Sequence, residues 1–228
     1  MKKSSEDHWM SISDLMSALM IVFMLIAIAF MIKVQHQQKL MNDIIVEYAE
    51  VKANIYKELY DEFENDLPKW DAEIDKKTLS VRFKEPDILF SAGSSKLNPK
   101  FQSILNDFMP RYIKVLSQPK YANVIQEIRI EGHTSSEWYG QNGTDAAYFG
   151  NMALSQERTR SVLEYTICMP ALQNNKQWLM KKITANGLSF SQKIVEDGVE
   201  NKSKSRRVEF RIRTNADEQM DQLEGKSK

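Results

Sequence analysis

EIRIEGHT, Glu127 to Thr134, alternates apolar and polar residues and then breaks at a glycine. A period of two is that of a strand with one buried face. Downstream, Gly132 to Gly150 is rich in Gly, Ser and Asn and reads as a loop. Ser155 is placed to cap a helix running to about Cys168, with Val162, Leu163 and Thr166 facing in. Ile183 to Ala185 is a short strand ending at Asn186-Gly187. Arg207 to Arg213, RVEFRIR, turns Val208, Phe210 and Ile212 inward and its charged residues outward. Upstream, Asn98 is a good helix cap and Pro99 suits the first helical position. The helix they open carries Phe101, Ile104, Leu105, Phe108, Met109, Tyr112, Ile113 and Leu116, a wide face that must pack on something. Before it come TLSVRF, Thr78 to Phe83, as a further strand, then Asp87 to Phe90 and the turn-forming Ser91 to Ser95. Strands and helices interleave, which predicts an α/β (α+β) sandwich with helices on one face of a sheet.

Four stretches in this order are specific: EIRIEGHT, NMALSQERTRSV (Asn151 to Val162), NGLSF (Asn186 to Phe190) and SRRVEFRI (Ser205 to Ile212). They resemble the OmpA-like peptidoglycan-binding family over roughly residues 78–213. In that family an Asp after a Gly-His/Tyr-Thr/Ala triplet, and an Arg closing an L-S-x-x-R element, bind the diaminopimelate of the wall peptide. The resemblance places Thr134, Ser135, Asn151 and Arg158 at the wall-binding site, with Ser135 standing where the family has Asp. The pair suits a zwitterion: a carboxylate answers its ammonium, and a guanidinium answers its carboxylate with two hydrogen bonds. Ser135 keeps a hydrogen-bonding group without the charge, and Glu137 or Asp145, in the long loop, is the candidate to supply it. His133 reads as a structural part of the strand end. No Ser-His-Asp, HExxH or paired-carboxylate arrangement stands out, so neither an enzyme nor a metal site is expected, and no cofactor is called for.

The N-terminal part differs in kind. LMSALMIVFMLIAIAFMI, Leu15 to Ile32, holds no charged residue. With Met10 to Asp14 added, it reaches the ~20 mainly apolar residues that a membrane-crossing helix needs. Trp9 sits where an interfacial aromatic belongs. A secretory signal peptide is the competing reading, from Lys2, Lys3 and Ala27-Ile28-Ala29, but the apolar run continues past those alanines. On a helix, Asp14 has Ser11, Ser17 and Ala18 as its neighbours one turn away. They form a small, polar stripe on a bulky helix, and small residues let a second helix approach closely in a membrane. On position alone Asp14 is either an acid facing protein or water, or a solvated flank.

Between the two lies a segment without Gly or Pro until Pro68, which is expected to end its helix. Leu40, Ile44, Tyr48, Val51, Ile55 and Leu59 form a narrow stripe at helical spacing. Such a stripe serves helix pairing in a homodimer or a lone helix lying on the next domain. The tail after Thr214 has little apolar content and is expected to be disordered. The predicted layout is thus 1–9 cytoplasmic tail, 10–32 transmembrane helix, 33–77 helical linker or plug, 78–213 OmpA-like domain and 214–228 tail. The formal net charge of zero provides no basic field for nucleic acid, and a single cysteine excludes an intrachain disulfide.

An OmpA-like domain behind one N-terminal span that starts with an Asp is the layout of stator-type B subunits. WMSISDLMSALM, Trp9 to Met20, resembles their pattern of Trp followed by A/S-D-L/F-M-x-A-x-M. Its I-S-D-L-M-S-x-L-M-x-V-F-M form is more similar to the ZorB family of Zorya anti-phage systems than to flagellar MotB. The resemblance implies that Asp14 carries the translocated protons (or sodium). It also implies a homodimer inside a ring of MotA/ZorA-like membrane subunits. The N-terminus would lie in the cytoplasm and the wall-binding domain in the periplasm. A flagellar stator subunit and a passive peptidoglycan anchor are the alternatives.

Overall fold

The computed structural model describes residues 3–84, 89–91, 93–139 and 144–215, with the side chains of 3–12, 44, 47 and 48 excepted. The expectations for Ser11, Ile44, Tyr48, Asp87 and the tail beyond Asn215 fall outside the described residues. The chain divides into two compact units, Met1–Glu50 and Val51–Lys228.

The first unit is helical and belongs to helix α1, Lys3–Phe63. An apolar window within Ser13–Asp43 reaches a mean hydropathy of 2.9, and none of it is buried. Among the described residues this is the one helix long and apolar enough to cross a membrane. Leu15, Phe23, Leu25 and Phe30 point outward around the helix. An apolar surface of this extent needs lipid or protein against it.

In the second unit the last turns of α1 are part of a core. Ile55, Leu59 and Phe63 are completely buried. This half of the stripe therefore packs on its own domain and is not available as a pairing seam. The helix also stops earlier than Pro68, at Phe63. Arg111 donates to the Glu62 carbonyl (2.6 Å) and to the carboxylates of Glu62 (2.7 Å) and Asp66 (2.8 Å). A cation on the last carbonyls is what a helix end favours. The chain then turns so that Trp70 meets the rings of Phe63, Phe83 and Phe108.

A five-stranded sheet follows, made of β1 (Ala72–Asp75), β2 (Ser80–Phe83), β3 (Ile125–His133), β4 (Ile183–Gly187) and a last strand, Arg207–Thr214. A small separate hairpin, β5 (Val195–Glu196) and β6 (Val199–Glu200), comes before that last strand, which is therefore β7. The order is β1-β2-β7-β3-β4, and β3–β4 is its parallel pair. All the strands expected from alternation are present. Strand β1 was not expected, since AEID is short and only half buried along its length. The compact domain thus begins well before residue 78.

Helices α2 (Pro99–Leu116), α3 (Pro119–Ala122), α4 (Asp145–Ile167), α5 (Lys176–Lys182) and α6 (Lys202–Ser205) complete the unit. Asn98 caps α2 through its side chain, with Pro99 next, as predicted. Every apolar residue expected on its inner face is buried. Phe108 lies 5.3 Å from Phe210 and 5.2 Å from Phe83, ring centre to ring centre, at the middle of the core. Opposite it, the outer face of the sheet is not simply solvated. Glu209 and Arg207 are buried there, because β3 and β7 carry a ladder of mutually neutralising charges.

Helix α4 starts ten residues before Ser155. Thr144 caps it, accepting from the Ala147 N–H (3.2 Å), and the sequence to Gly150 expected as loop is helical. Ser155 instead sits in mid-helix, buried, donating to the Met152 carbonyl (3.0 Å) and accepting from the Ser189 N–H (3.2 Å). Two glycines let α4 lie on the sheet. A Cβ on Gly132 would come within 2.9 Å of the Ser155 carbonyl oxygen, and one on Gly187 within 2.3 Å of the Gln156 nitrogen. Backbone rests on backbone there, which only glycine permits.

Candidate functional site

Where β3 ends, Thr134 and Ser135 leave the sheet. The Thr134 N–H donates to the Ser189 carbonyl (2.9 Å), which fixes the exit direction. Asn151, Leu154 and Arg158 stand at spacings of three and four on α4, one above the other on a single face. That face meets the loop after β3 across a cavity of about 470 Å³. Thr134, Ser135, Asn151 and Arg158, the four residues singled out from the sequence, all line it, together with Glu137, Trp138, Tyr139 and Arg206.

Each side chain is held. Arg158 donates through Nε to the Ser94 carbonyl (2.9 Å) and through Nη2 to the Ser91 carbonyl (3.5 Å). Its guanidinium also lies 4.9 Å over the Phe90 ring. Asn151 donates to the Glu137 carbonyl (3.0 Å) and so ties the loop to the helix. Glu200 accepts from the Ser136 N–H (3.0 Å) and hydroxyl (2.5 Å). Trp138 fills the gap that Gly150 leaves, where a Cβ would come within 2.3 Å of the indole. Residues 134–139 are therefore a built wall of the cleft.

The charge at the cleft comes from a different residue than the family position. Ser135 is buried and neutral. Glu137 lines the cavity two residues on, whereas Asp145 lies in the exposed first turn of α4 and does not. The Glu137 carboxylate accepts from Lys202 (2.6 Å) and Arg206 (3.3 Å). Lys202 above all, with Arg206 and the Ser135 hydroxyl, holds that carboxyl below its ordinary range, against the opposing pull of burial. Thr134 Oγ1 is buried and has no hydrogen-bond partner among the described residues. Arg206 and Lys202 escaped the sequence reading. Arg206 sits in the SRRVEFRI stretch, but only the return of β7 beside β3 brings it to the loop.

Beneath the cleft, Glu131, His133 and Glu209 form a buried group of potential metal ligands. Arg207 (2.6 Å) and Arg82 (2.8 Å) already donate to Glu209 Oε1, and Arg129 and Arg211 lie 3.9 Å from Glu131. Four guanidiniums leave no electrostatic place for a divalent cation. Burial pulls the Glu209 carboxyl up, but Arg207, His133 and Arg82 outweigh it and hold it low. Burial, with Arg207, pushes the His133 imidazole below its ordinary 6.5 despite Glu131. His133 lies buried at the end of β3.

The other predicted group lies in the first unit. Asp14, Ser17 and Ala18 are exposed on α1, one turn apart. The side chain of Ser11 is outside the described residues.

A mixed sheet whose parallel β3–β4 pair is crossed by α4, with a cleft at the C-terminal end of β3, defines the OmpA class of domain. The OmpA family model matches residues 89–207. The Zorya protein ZorB of Escherichia coli (Crooks strain) is 48% identical over 220 residues, covering 96% of this chain and 93% of that protein. The chain belongs to the OmpA family and, at that identity and coverage, to the ZorB family within it. Among solved structures, a putative MotB-like protein from Desulfovibrio vulgaris superposes with a TM-score of 0.50 at 21% identity. It covers 74% of this chain and 98% of its own, which establishes the shared fold.

Proposed function

We propose that this chain is the wall-anchored B subunit of an ion-driven rotary motor in the inner membrane, acting in Zorya-type anti-phage defence. The observation that carries this reading is the near-full-length similarity to ZorB, which takes in the apolar helix and the cleft domain together. In this reading α1 spans the membrane once, with the N-terminus cytoplasmic and the OmpA-like domain periplasmic. Two copies sit inside a ring of ZorA-like membrane subunits.

Asp14 accepts a proton from one side and releases it on the other. Each elementary charge moved across 100 mV is worth ~2.3 kcal/mol. Cycling between carboxylate and carboxylic acid changes how the Ser17/Ala18 face meets the ring, and this drives rotation. The cleft domain holds peptidoglycan through Arg158, with Thr134, Ser135 and Asn151 around it, so the dimer stays still while the ring turns. Residues 33–50 connect the two functions.

The test is Asp14→Asn in a strain protected by the complete system. Loss of phage protection at normal membrane abundance is expected. Full protection would sink the ion-carrier role and leave a passive anchor. Pull-down on purified sacculi, wild type against Arg158→Ala, tests the other end. Unchanged retention of the variant would remove Arg158 from the wall site.

A further inference from the structure

We infer that Glu200 is a positioning residue of the cleft: from behind the cleft wall it fixes the peptide that follows Ser135, so the small β5–β6 hairpin is a working part of the binding site. This inference rests on the wall-binding reading and adds to it a residue that acts through another.

Three points hold the chain where it leaves β3. The Thr134 N–H donates to the Ser189 carbonyl (2.9 Å). Two residues on, the Ser136 N–H donates to Glu200 Oε1 (3.0 Å) and the Ser136 hydroxyl to Oε2 (2.5 Å). One residue further, the Glu137 carbonyl accepts from Asn151 (3.0 Å). Ser135 lies between the first two points, buried at the cavity. Of the three, the Glu200 grip is the charge-assisted one, and such bonds are roughly twice as strong as neutral ones. Glu200 itself is not among the described residues that line the cavity.

Glu200 can grip because its own segment is closed. It ends β6, opposite Val195. Asp197 (φ 50°) and Gly198 (φ 78°) are both left-handed, as a tight two-residue hairpin turn requires. Asn201, the next residue, donates its N–H to the Ile194 carbonyl (2.8 Å) and caps α6 by accepting from the Lys204 N–H (3.0 Å). The Ser205 hydroxyl accepts from the Ile194 N–H (2.9 Å). The carboxylate is thus presented from a fixed backbone. From the same segment, Lys202 (2.6 Å) and Arg206 (3.3 Å) reach Glu137, so residues 200–206 meet the cleft wall at two consecutive positions. Without the Glu200 grip, Ser135 and Ser136 would be ordered anew in each binding event, and that lost freedom is subtracted from affinity.

The experiment uses the full chain in detergent, purified sacculi as the probe, and hydrogen exchange read by mass spectrometry. Glu200→Ala is expected to weaken cosedimentation with sacculi roughly tenfold. It should also speed exchange in residues 134–139 while leaving β3 and β7 as protected as in the wild type. Glu200→Gln keeps an acceptor for the Ser136 N–H and should bind within ~3-fold of wild type. A Glu200→Gln loss as large as that of Glu200→Ala would overturn the inference, because Glu200 would then act through its charge and not through Ser136. Wild-type affinity in Glu200→Ala, whatever the loop exchange, would overturn it too. Both outcomes leave the wall-binding reading intact. Should Glu200→Ala fail to fold, Ser136→Ala decides: it removes the hydroxyl contact alone and should cost ~3-fold with β3 and β7 still protected, and unchanged affinity would refute the grip. Failure of the wild-type chain to sediment with sacculi would remove the wall-binding reading, and the inference with it.

Discussion

Phe63→Ala tests whether the end of α1 is domain core or pairing seam. Phe63 is completely buried, its ring 5.2 Å from Phe108 and 5.8 Å from Trp70, with Arg111 4.8 Å over its face. Truncating a buried Phe costs about 3–5 kcal/mol from lost transfer energy and the cavity left behind. The Arg111 contact contributes about 1 kcal/mol of that when partly desolvated. A value near 4 kcal/mol is expected, a large share of the ~5–15 kcal/mol that holds an ordinary domain. With a urea slope of about 2 kcal/mol/M, the midpoint falls by about 2 M. The assay is urea unfolding of the fragment 51–228 followed by tryptophan fluorescence, to which Trp70 contributes from beside the substituted ring. Tyr60→Ala is the control. Tyr60 is 43% exposed and stacks on Tyr56, so it should cost less than ~1 kcal/mol. Two outcomes would refute the reasoning. One is a Phe63→Ala cost under ~1 kcal/mol. The other is a wild-type midpoint that climbs with protein concentration, the signature of stability drawn from pairing.

Other outcomes follow from the buried charges and the close-packed glycines. His133 and Glu209 both have lowered folded-state values, so each contributes stability that is present above its unfolded value and lost as pH falls through the folded one. The urea midpoint should therefore drop as pH falls below 6.5, and His133→Asn should flatten that first part of the decline; an unchanged slope would refute it. Glu209→Gln removes the carboxylate from buried Arg207, while Arg82 keeps Asp75, and should cost roughly 3 kcal/mol even at pH 7.5. Gly187→Ala forces α4 away from β4 and should lower thermal stability by about 1–3 kcal/mol, and a neutral result would contradict the 2.3 Å approach.

Much of the domain was legible because its signals are local. Alternation in EIRIE and RVEFRIR, and the Asn98-Pro99 cap before a wide apolar face, need no knowledge of the rest of the chain. The misses share a physical cause, which is that tertiary contacts decided them. Thr144 makes a better cap than Ser155 only because the helix has a cleft wall to hold. Strand β1 pairs on the edge that β2 offers, and Arg111, far along the chain, reaches the Glu62 carbonyl where α1 ends. The site was half legible for the same reason. Thr134, Ser135, Asn151 and Arg158 lie in two short motifs, whereas the Glu137–Lys202–Arg206 group assembles from segments more than sixty residues apart. The residues themselves raised Glu137 and Asp145 equally, and only the fold separates them.

The last strand, β7, lies in the middle of the sheet, between β2 and β3. Vectorial synthesis therefore cannot complete this domain in stages. When His133 at the end of β3 has been added, Arg207 at the start of its main antiparallel neighbour is still about 74 codons away, on the order of 4–15 s at ordinary elongation rates. Until Thr214 emerges, both β2 and β3 present open edges. Termination before Arg207 would remove the centre of the sheet rather than trim its rim. The sheet thus closes from its middle, and only once the last strand is present.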